Sequence, residues 1–232
     1  MKSAIKEGSI LPFLRQRDYV LIKELGQGAC GKTVLMRDPL IDHLYVCKKY
    51  VPYSELERPE LYKNFVREVK LLHLVHHENI VRVFNFHLYP EIYAGSIVME
   101  YIEGREIDAH IKAVPEQASE LFRQAISAFA YLESREILHR DIRPGNIMVS
   151  TDGRVKVIDF GFGKKIVTSL DYDKSISLNW EYDTPDEFRD SVYNFKTEVY
   201  FVGKLFEKMI VNNGIAHFTA LFNLVWRRIR VA

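Results

Sequence analysis

Hydrophobic and polar positions alternate in part along DYVLIKELG (Asp18 to Gly26), where β-branched and aromatic residues predict a strand. HLYVCKKY (His43 to Tyr50) repeats that character, and Asp38-Pro39 between the two breaks any helical pattern. The glycine-bearing LGQGACGKTV (Leu25 to Val34) therefore joins strand to strand, as a hairpin does. In ELYKNFVREVKLLHLVH the apolar positions Leu61, Phe65, Val69, Leu72 and Val75 fall at helical spacing, which predicts an amphipathic helix. NIVRVFNFHL and GSIVMEYI predict two further strands. From Glu116, through ASELFRQAISAFAYLESREI, the pattern is helical. A strand-rich first half with one helix thus precedes a mostly helical second half, and the Gly-containing EYIEGRE (Glu100 to Glu106) is the candidate boundary.

Composition narrows the function classes. With 232 residues the chain can bury a core as one large domain or two small lobes, and 47% hydrophobic with 27% charged residues is ordinary for a globular protein. A net charge of +1 argues against a general nucleic-acid binder, so no nucleic-acid partner is expected. No apolar stretch approaches the roughly 18 residues of a membrane helix, and Met1 to Phe13 lacks the continuous apolar run of a secretory signal. The two cysteines, Cys30 and Cys47, make no disulfide framework and read as small side chains. The expectation is a cytoplasmic protein without an integral membrane segment, with delivery into another cell by a route that leaves no cleavable signal still open.

The glycine stretch satisfies two phosphate-binding patterns at once. As G-x-x-x-x-G-K-[ST] it spans Gly26, Gly31, Lys32 and Thr33; as G-x-G-x-x-G it spans Gly26, Gly28 and Gly31. Both work because glycine has no Cβ to keep backbone N–H groups from phosphate oxygens. A P-loop and a dinucleotide fingerprint each need a helix to begin at the last glycine, and Asp38-Pro39 comes too soon for one.

Two further stretches decide the matter. HRDIRPGNIMV (His139 to Val149) meets H-R-D-x-x-x-x-N with His139, Arg140, Asp141 and Asn146, and VKVIDFGFG carries Asp159, Phe160 and Gly161 one short hairpin later. With the glycine loop, the strand lysine in YVCKKY and a helical glutamate in FVREVKLL, five elements stand in one order. The chain here resembles the protein kinase family, roughly from Tyr19 to Ile210. The resemblance implies an α+β, bilobal fold: residues 1–18 a leader, 19–102 a β-rich N-lobe with the glycine loop and one long helix, and 103–232 a mostly helical C-lobe shortened at its end.

The resemblance also implies a chemistry, transfer of the γ-phosphate of ATP to protein hydroxyls with Mg²⁺. That task is mostly positioning and charge neutralisation. Gly26, Gly28 and Gly31 would cover the phosphates, and Val46 and Lys48 match the alanine and lysine of V-A-I-K. Lys49 falls on the other strand face. Glu68 would aim Lys48. Asn146 and Asp159 would bind Mg²⁺, whose oxygen preference suits an amide carbonyl and a carboxylate. Asp141 would orient the acceptor hydroxyl and take its proton, and Arg143 would balance γ-phosphate charge where serine/threonine kinases carry lysine. His139 would pack the catalytic loop, Met99 falls at the gatekeeper position, and Glu100 to Ile102 at the adenine-binding hinge. His76-His77-Glu78-Asn79-Ile80 resembles the turn after the long helix, not a metal site.

Departures from the pattern accumulate toward the end. Pro185-Asp186 stands for proline-glutamate, Glu198 for an aspartate that anchors the catalytic loop, and Asn179 for a threonine. The resemblance implies that Arg140 pairs with an ordering phosphate near Ser175, placed by autophosphorylation, with Ser177, Thr168 and Ser169 as neighbours; the alternative is a solvated serine-rich loop. Little chain follows Glu198, and in HFTALFNLVWRRIRVA the residues Phe218, Leu221, Phe222, Val225 and Ile229 share a helical face ending in Arg227, Arg228 and Arg230. That face either completes the C-lobe core or docks a partner or an anionic membrane. Two other functions stay open: a kinase-fold enzyme acting on a small molecule or lipid, which commonly lacks the arginine of H-R-D and the glycine of D-F-G, and a pseudokinase binding module, which Lys48, Asp141, Asn146 and Asp159 argue against.

Overall fold

The computed structural model describes residues 18–28, 31–50, 58–161, 163–166 and 193–215. Strands β1 (Val20–Gly28), β2 (Gly31–Asp38) and β3 (His43–Tyr50) form an antiparallel meander, and Gly28 pairs with Gly31 at the tip of the glycine hairpin. At the next turn Asp38 Oδ1 accepts the Leu40 N–H at 2.9 Å and Asp42 takes a left-handed φ of 49°, the turn chemistry that Asp-Pro foretells. β4 (Val83–Tyr89) and β5 (Ala94–Glu100) complete a five-stranded sheet in the order β1-β2-β3-β5-β4.

Helix α1 (Arg58–Leu74) lies between β3 and β4 in sequence and buries Tyr62, Phe65, Glu68, Val69, Leu71 and Leu72. Phe65 stacks on Tyr50 with ring centroids 4.8 Å apart. Gly95 of β5 permits this approach: a Cβ there would stand 2.6 Å from Phe65 Cε1 and 2.7 Å from the His87 carbonyl. Glu68 is the one charged residue on the buried stripe, so α1 delivers a carboxylate to the sheet together with its apolar face.

After the sheet come β6 (Gly104–Glu106), α2 (Ile107–Ala113), α3 (Ala118–Ser134), β7 (Ile137–Leu138), β8 (Ile147–Ser150), β9 (Val155–Val157), β10 (Lys164–Lys165) and α4 (Phe195–Asn212). β6, β8 and β9 form a three-stranded sheet, and β10 pairs with β7. Helices α3 and α4 pack through Phe122 and Phe206, ring centroids 4.9 Å apart. A capping box starts α4: Asn194 Oδ1 accepts the Thr197 N–H, and Thr197 Oγ1 accepts the Asn194 N–H, both at 3.2 Å.

The architecture is α+β and bilobal, with the β-rich lobe first. The second half holds more strand than its helical periodicity suggests, because strands of two to four residues are too short to show alternation. The halves are joined at the turn after α1, where Val81 N–H donates to Val157 O at 2.9 Å and Val157 N–H to Asn79 O at 2.8 Å. His77 serves this turn: its Nδ1 accepts the Asn79 N–H at 3.1 Å and its ring stacks on Tyr131. Among the described residues no helix is long and apolar enough to cross a membrane. The leader, Cys30, Ser175 with its neighbours, Asn179, Pro185-Asp186 and the C-terminal apolar face lie outside the described residues.

Candidate active site

Lys48 is a further point where the two halves meet. Its Nζ lies 2.7 Å from Glu68 Oε1 on α1 and 3.1 Å from Asp159 Oδ1, just beyond β9. Strand alternation turns Lys49 to the exposed side, so Lys48 alone of the pair reaches α1. Burial works against the Lys48 ammonium, but the two carboxylates outweigh it and its pKa lies above the ordinary lysine value. Burial pushes the Glu68 carboxyl up, and the ammonium draws it back. Asp159 also loses water, yet Lys48 and the Gly161 N–H, which donates to Oδ1 at 3.1 Å, hold its pKa below the ordinary carboxylate range. Asp159 adopts φ 61°, a left-handed conformation that the packing of the fully buried Phe160 against His139 supports.

The catalytic-loop candidates form a second, linked group. Asn146 Nδ2 donates to Asp141 Oδ2 at 2.7 Å and to the Asp141 carbonyl at 2.9 Å, leaving the amide oxygen as the open acceptor of that side chain. The Asn146 carbonyl accepts the Ile158 N–H at 2.9 Å, which sets Asn146 beside Asp159 across the β8–β9 hairpin. Arg143 Nε lies 3.3 Å from Asp141 Oδ2, with its side chain half-exposed. His139 is wholly buried and pairs through Nε2 with the Ile158 carbonyl at 3.0 Å, and burial lowers its pKa below the ordinary histidine value. Glu198 on α4 accepts the Arg140 N–H at 2.7 Å through Oε1. Burial pushes its carboxyl up to about 7, against the pull of the Arg140 and His139 amides and the Tyr193 hydroxyl.

The remaining sequence candidates lie in strands β1, β2, β3 and β5 or just after β5. Val46 pairs with Met99 across β3 and β5. The Glu100 carboxylate accepts Lys156 Nζ at 2.8 and 3.1 Å and the Arg82 N–H at 2.9 Å, so the start of the Glu100–Ile102 segment is tied to β9. Gly26 sits in β1 with nothing within 4 Å of where a Cβ would lie, so the protein's own packing does not require glycine there. Gly28 and Gly31 close the hairpin. Lys32, the lysine of the P-loop pattern, lies in β2, and its Nζ pairs with Glu24 at 3.1 Å on the exposed surface. The chain runs from Lys32 along a strand, not into a helix, so the P-loop reading fails.

Sequence reasoning missed Tyr193, whose hydroxyl donates to Glu198 Oε1 at 3.2 Å, and the Glu100–Lys156 pair. Tyr193 lies in no periodic pattern or spaced motif, and Glu100 and Lys156 lie in two stretches that were each read without any signal that they meet.

A family model described as the protein kinase domain matches residues 19–221. The serine/threonine-protein kinase PrkC of Bacillus subtilis (strain 168) is 30% identical over 190 residues, 80% of this chain and 29% of the relative. The probable serine/threonine-protein kinase MARK-A of Dictyostelium discoideum is 32% identical over 181 residues, 76% of this chain and 17% of the relative. Mitogen-activated protein kinase kinase 7 of Arabidopsis thaliana is 30% identical over 207 residues, 88% of this chain and 66% of the relative. The chain spans less than a third of the length of the first two. A match that begins ahead of the glycine hairpin and runs beyond α4 takes in both lobes and the cleft between them: this chain belongs to the protein kinase family.

Proposed function

We propose that the chain is an ATP- and Mg²⁺-dependent protein kinase that transfers the γ-phosphate to serine or threonine hydroxyls. The observation that carries this reading is the convergence on Lys48 of Glu68 and Asp159, groups 20 and 111 residues away in sequence. Such a constellation holds a fixed cation where phosphates need one and a carboxylate where a divalent metal needs one. The names of the bacterial and Dictyostelium relatives, both serine/threonine-protein kinases, support the hydroxyl preference.

The residues present fit the nucleotide and the metal. The open space over Gly26 leaves room for phosphate oxygens against backbone N–H groups. The free amide oxygen of Asn146 and the partly exposed carboxylate of Asp159 are hard oxygen donors held side by side. Mg²⁺ bound there would supply charge neutralisation to the transferring phosphoryl group. Lys48 binds the α- and β-phosphates, and Glu68 keeps it aimed. The Ile102 N–H and carbonyl, which have no backbone partner among the described residues, receive adenine below Met99. Asp141 orients the substrate hydroxyl and takes its proton, while Asn146 and Arg143 fix the carboxylate. Arg143 also faces the γ-phosphate.

The test uses purified chain, labelled ATP, Mg²⁺ and generic protein substrates. Lys48→Met and Asp159→Asn should each lower transfer by about 10²-fold or more, the scale for losing one preorganised charge contact, with the fold retained by circular dichroism. Full activity in Asp159→Asn would sink the assignment, and activity kept in Lys48→Met but lost in Lys49→Met would move the phosphate contact to the neighbouring lysine.

A further inference from the structure

Tyr193 stands just ahead of the Asn194 cap of α4 and is 3% exposed. Its hydroxyl donates to Glu198 Oε1 at 3.2 Å, the oxygen that also accepts the Arg140 N–H at 2.7 Å. Its ring stacks on Phe201 of the same helix at an interplanar angle of 18°, and the Arg140 guanidinium carbon lies 5.9 Å from the ring centroid. Tyr193 therefore touches both the carboxylate that holds the catalytic-loop backbone and the side chain of the residue being held. Arg140, with φ 67°, sits in a left-handed conformation that needs outside support, and Asp141 is the next residue along.

We infer that Tyr193 is a positioning residue for the catalytic loop, acting through Glu198: its O–H shares the carboxylate oxygen that grips the Arg140 amide and so governs where Asp141 stands. For the meaning of Asp141 this rests on the kinase reading. Among the described residues, the groups that face Glu198 are the backbone amides of His139 and Arg140, the Arg140 guanidinium and the Tyr193 hydroxyl. All of these favour the carboxylate over the neutral acid, and burial opposes them. Removing the hydroxyl leaves burial less opposed, so the Glu198 proton is held to higher pH. A neutral acid grips the Arg140 N–H more weakly than a carboxylate does.

The experiment tracks the Arg140 amide proton by NMR against pH in the full chain, beside the pH profile of phosphate transfer. In the wild type the amide shift should titrate near the Glu198 value of about 7. In Tyr193→Phe, which keeps the stacked ring, the midpoint should rise by about one pH unit, the order expected for one lost bond to a buried charge. The acid limb of the transfer rate should move by the same interval, with KM for ATP unchanged. In Glu198→Gln the amide titration should vanish. A Tyr193→Phe curve that superimposes on the wild type, or a Glu198→Gln chain that still titrates there, overturns the inference. If Tyr193→Phe does not fold, tyrosine labelled at Cζ decides in the wild type: the Tyr193 signal should move with the Arg140 midpoint, and a flat signal overturns the inference. Should the wild type transfer no phosphate while the amide midpoint still moves, the positioning role stands and the kinase reading falls.

Discussion

Glu198→Gln should gain stability relative to the wild type as pH rises from 4.5 to about 7, and keep that gain unchanged above it. The residue is 2% exposed, and burial moves its carboxyl from 4.5 to about 7. Well below 4.5 both folded and unfolded chains carry the proton, so the side chain costs nothing through this route. As pH rises from 4.5 to 7 the unfolded chain releases the proton first, and the folded state loses stability. Above 7 both are ionised and the loss is constant. An interval of about 2.5 pH units corresponds to about 3 kcal/mol. Glutamine keeps an acceptor oxygen for the Arg140 N–H and does not titrate, so the variant escapes this slope. Its buried amide N–H groups add an offset that is the same at every pH. Burial holds His139 and His77 below the ordinary histidine value, so their part of the stability rises with pH, opposite in sign, but it is common to both proteins and cancels in the difference. Urea unfolding of wild type and variant from acid to mildly alkaline buffer measures the gap. It should open across the span from 4.5 to 7 and then level off. A gap independent of pH, or one that closes as pH rises, would refute the reasoning. The same variant gives up the charge-assisted bond to the catalytic loop, so stability gained here is expected to accompany activity lost.

Lys32→Ala should leave ATP affinity unchanged by titration calorimetry, since the Lys32–Glu24 pair is exposed and worth at most about 1 kcal/mol; a large loss of affinity would restore the P-loop reading. Gly95→Ala should lower the thermal midpoint through about 1–3 kcal/mol of overpacking, because the new methyl meets Phe65 and the His87 carbonyl. An unchanged melt would mean that α1 does not press on β5 as described.

The parts of the site that the residues alone placed in advance are those whose spacing lies within one local element, while Glu68 and Glu198 were reached through the family resemblance. His139 to Asn146 is a single loop, and Asp159 to Gly161 ends a single hairpin, so the geometry that brings Asn146 beside Asp159 is set by a few consecutive residues. The apolar stripe of α1 and the strand character of β1, β3, β4 and β5 were legible for the same reason, since period 3.6 and period 2 are written into neighbouring positions. Lys48 over Lys49 came from the match of Val46 and Lys48 to the family's strand motif together with alternation. The P-loop match shows the limit of local patterns. Gly26 to Thr33 fits two of them, and only the element after the last glycine, a strand and not a helix, separates them.

Tertiary structure decided which charges meet. Nothing local to Lys48 says that Asp159 will stand 3.1 Å away, or that Glu100 will take Lys156 across 56 residues. Tyr193 was silent in the sequence because it lies in a non-repeating segment, and its role exists only once α4 has carried Glu198 under the catalytic loop. Strands β6, β7 and β10 were likewise invisible: each is too short to carry a period and is held by a partner distant in the chain, whereas β8 and β9 form the local hairpin. Sequence by itself determined the elements and the loop chemistry, because those depend on residues a few positions apart. The ion pairs and the carboxylate under the catalytic loop were decided by folding, because electrostatic energy depends on distance and burial in space, and neither quantity is a property of the chain before it closes.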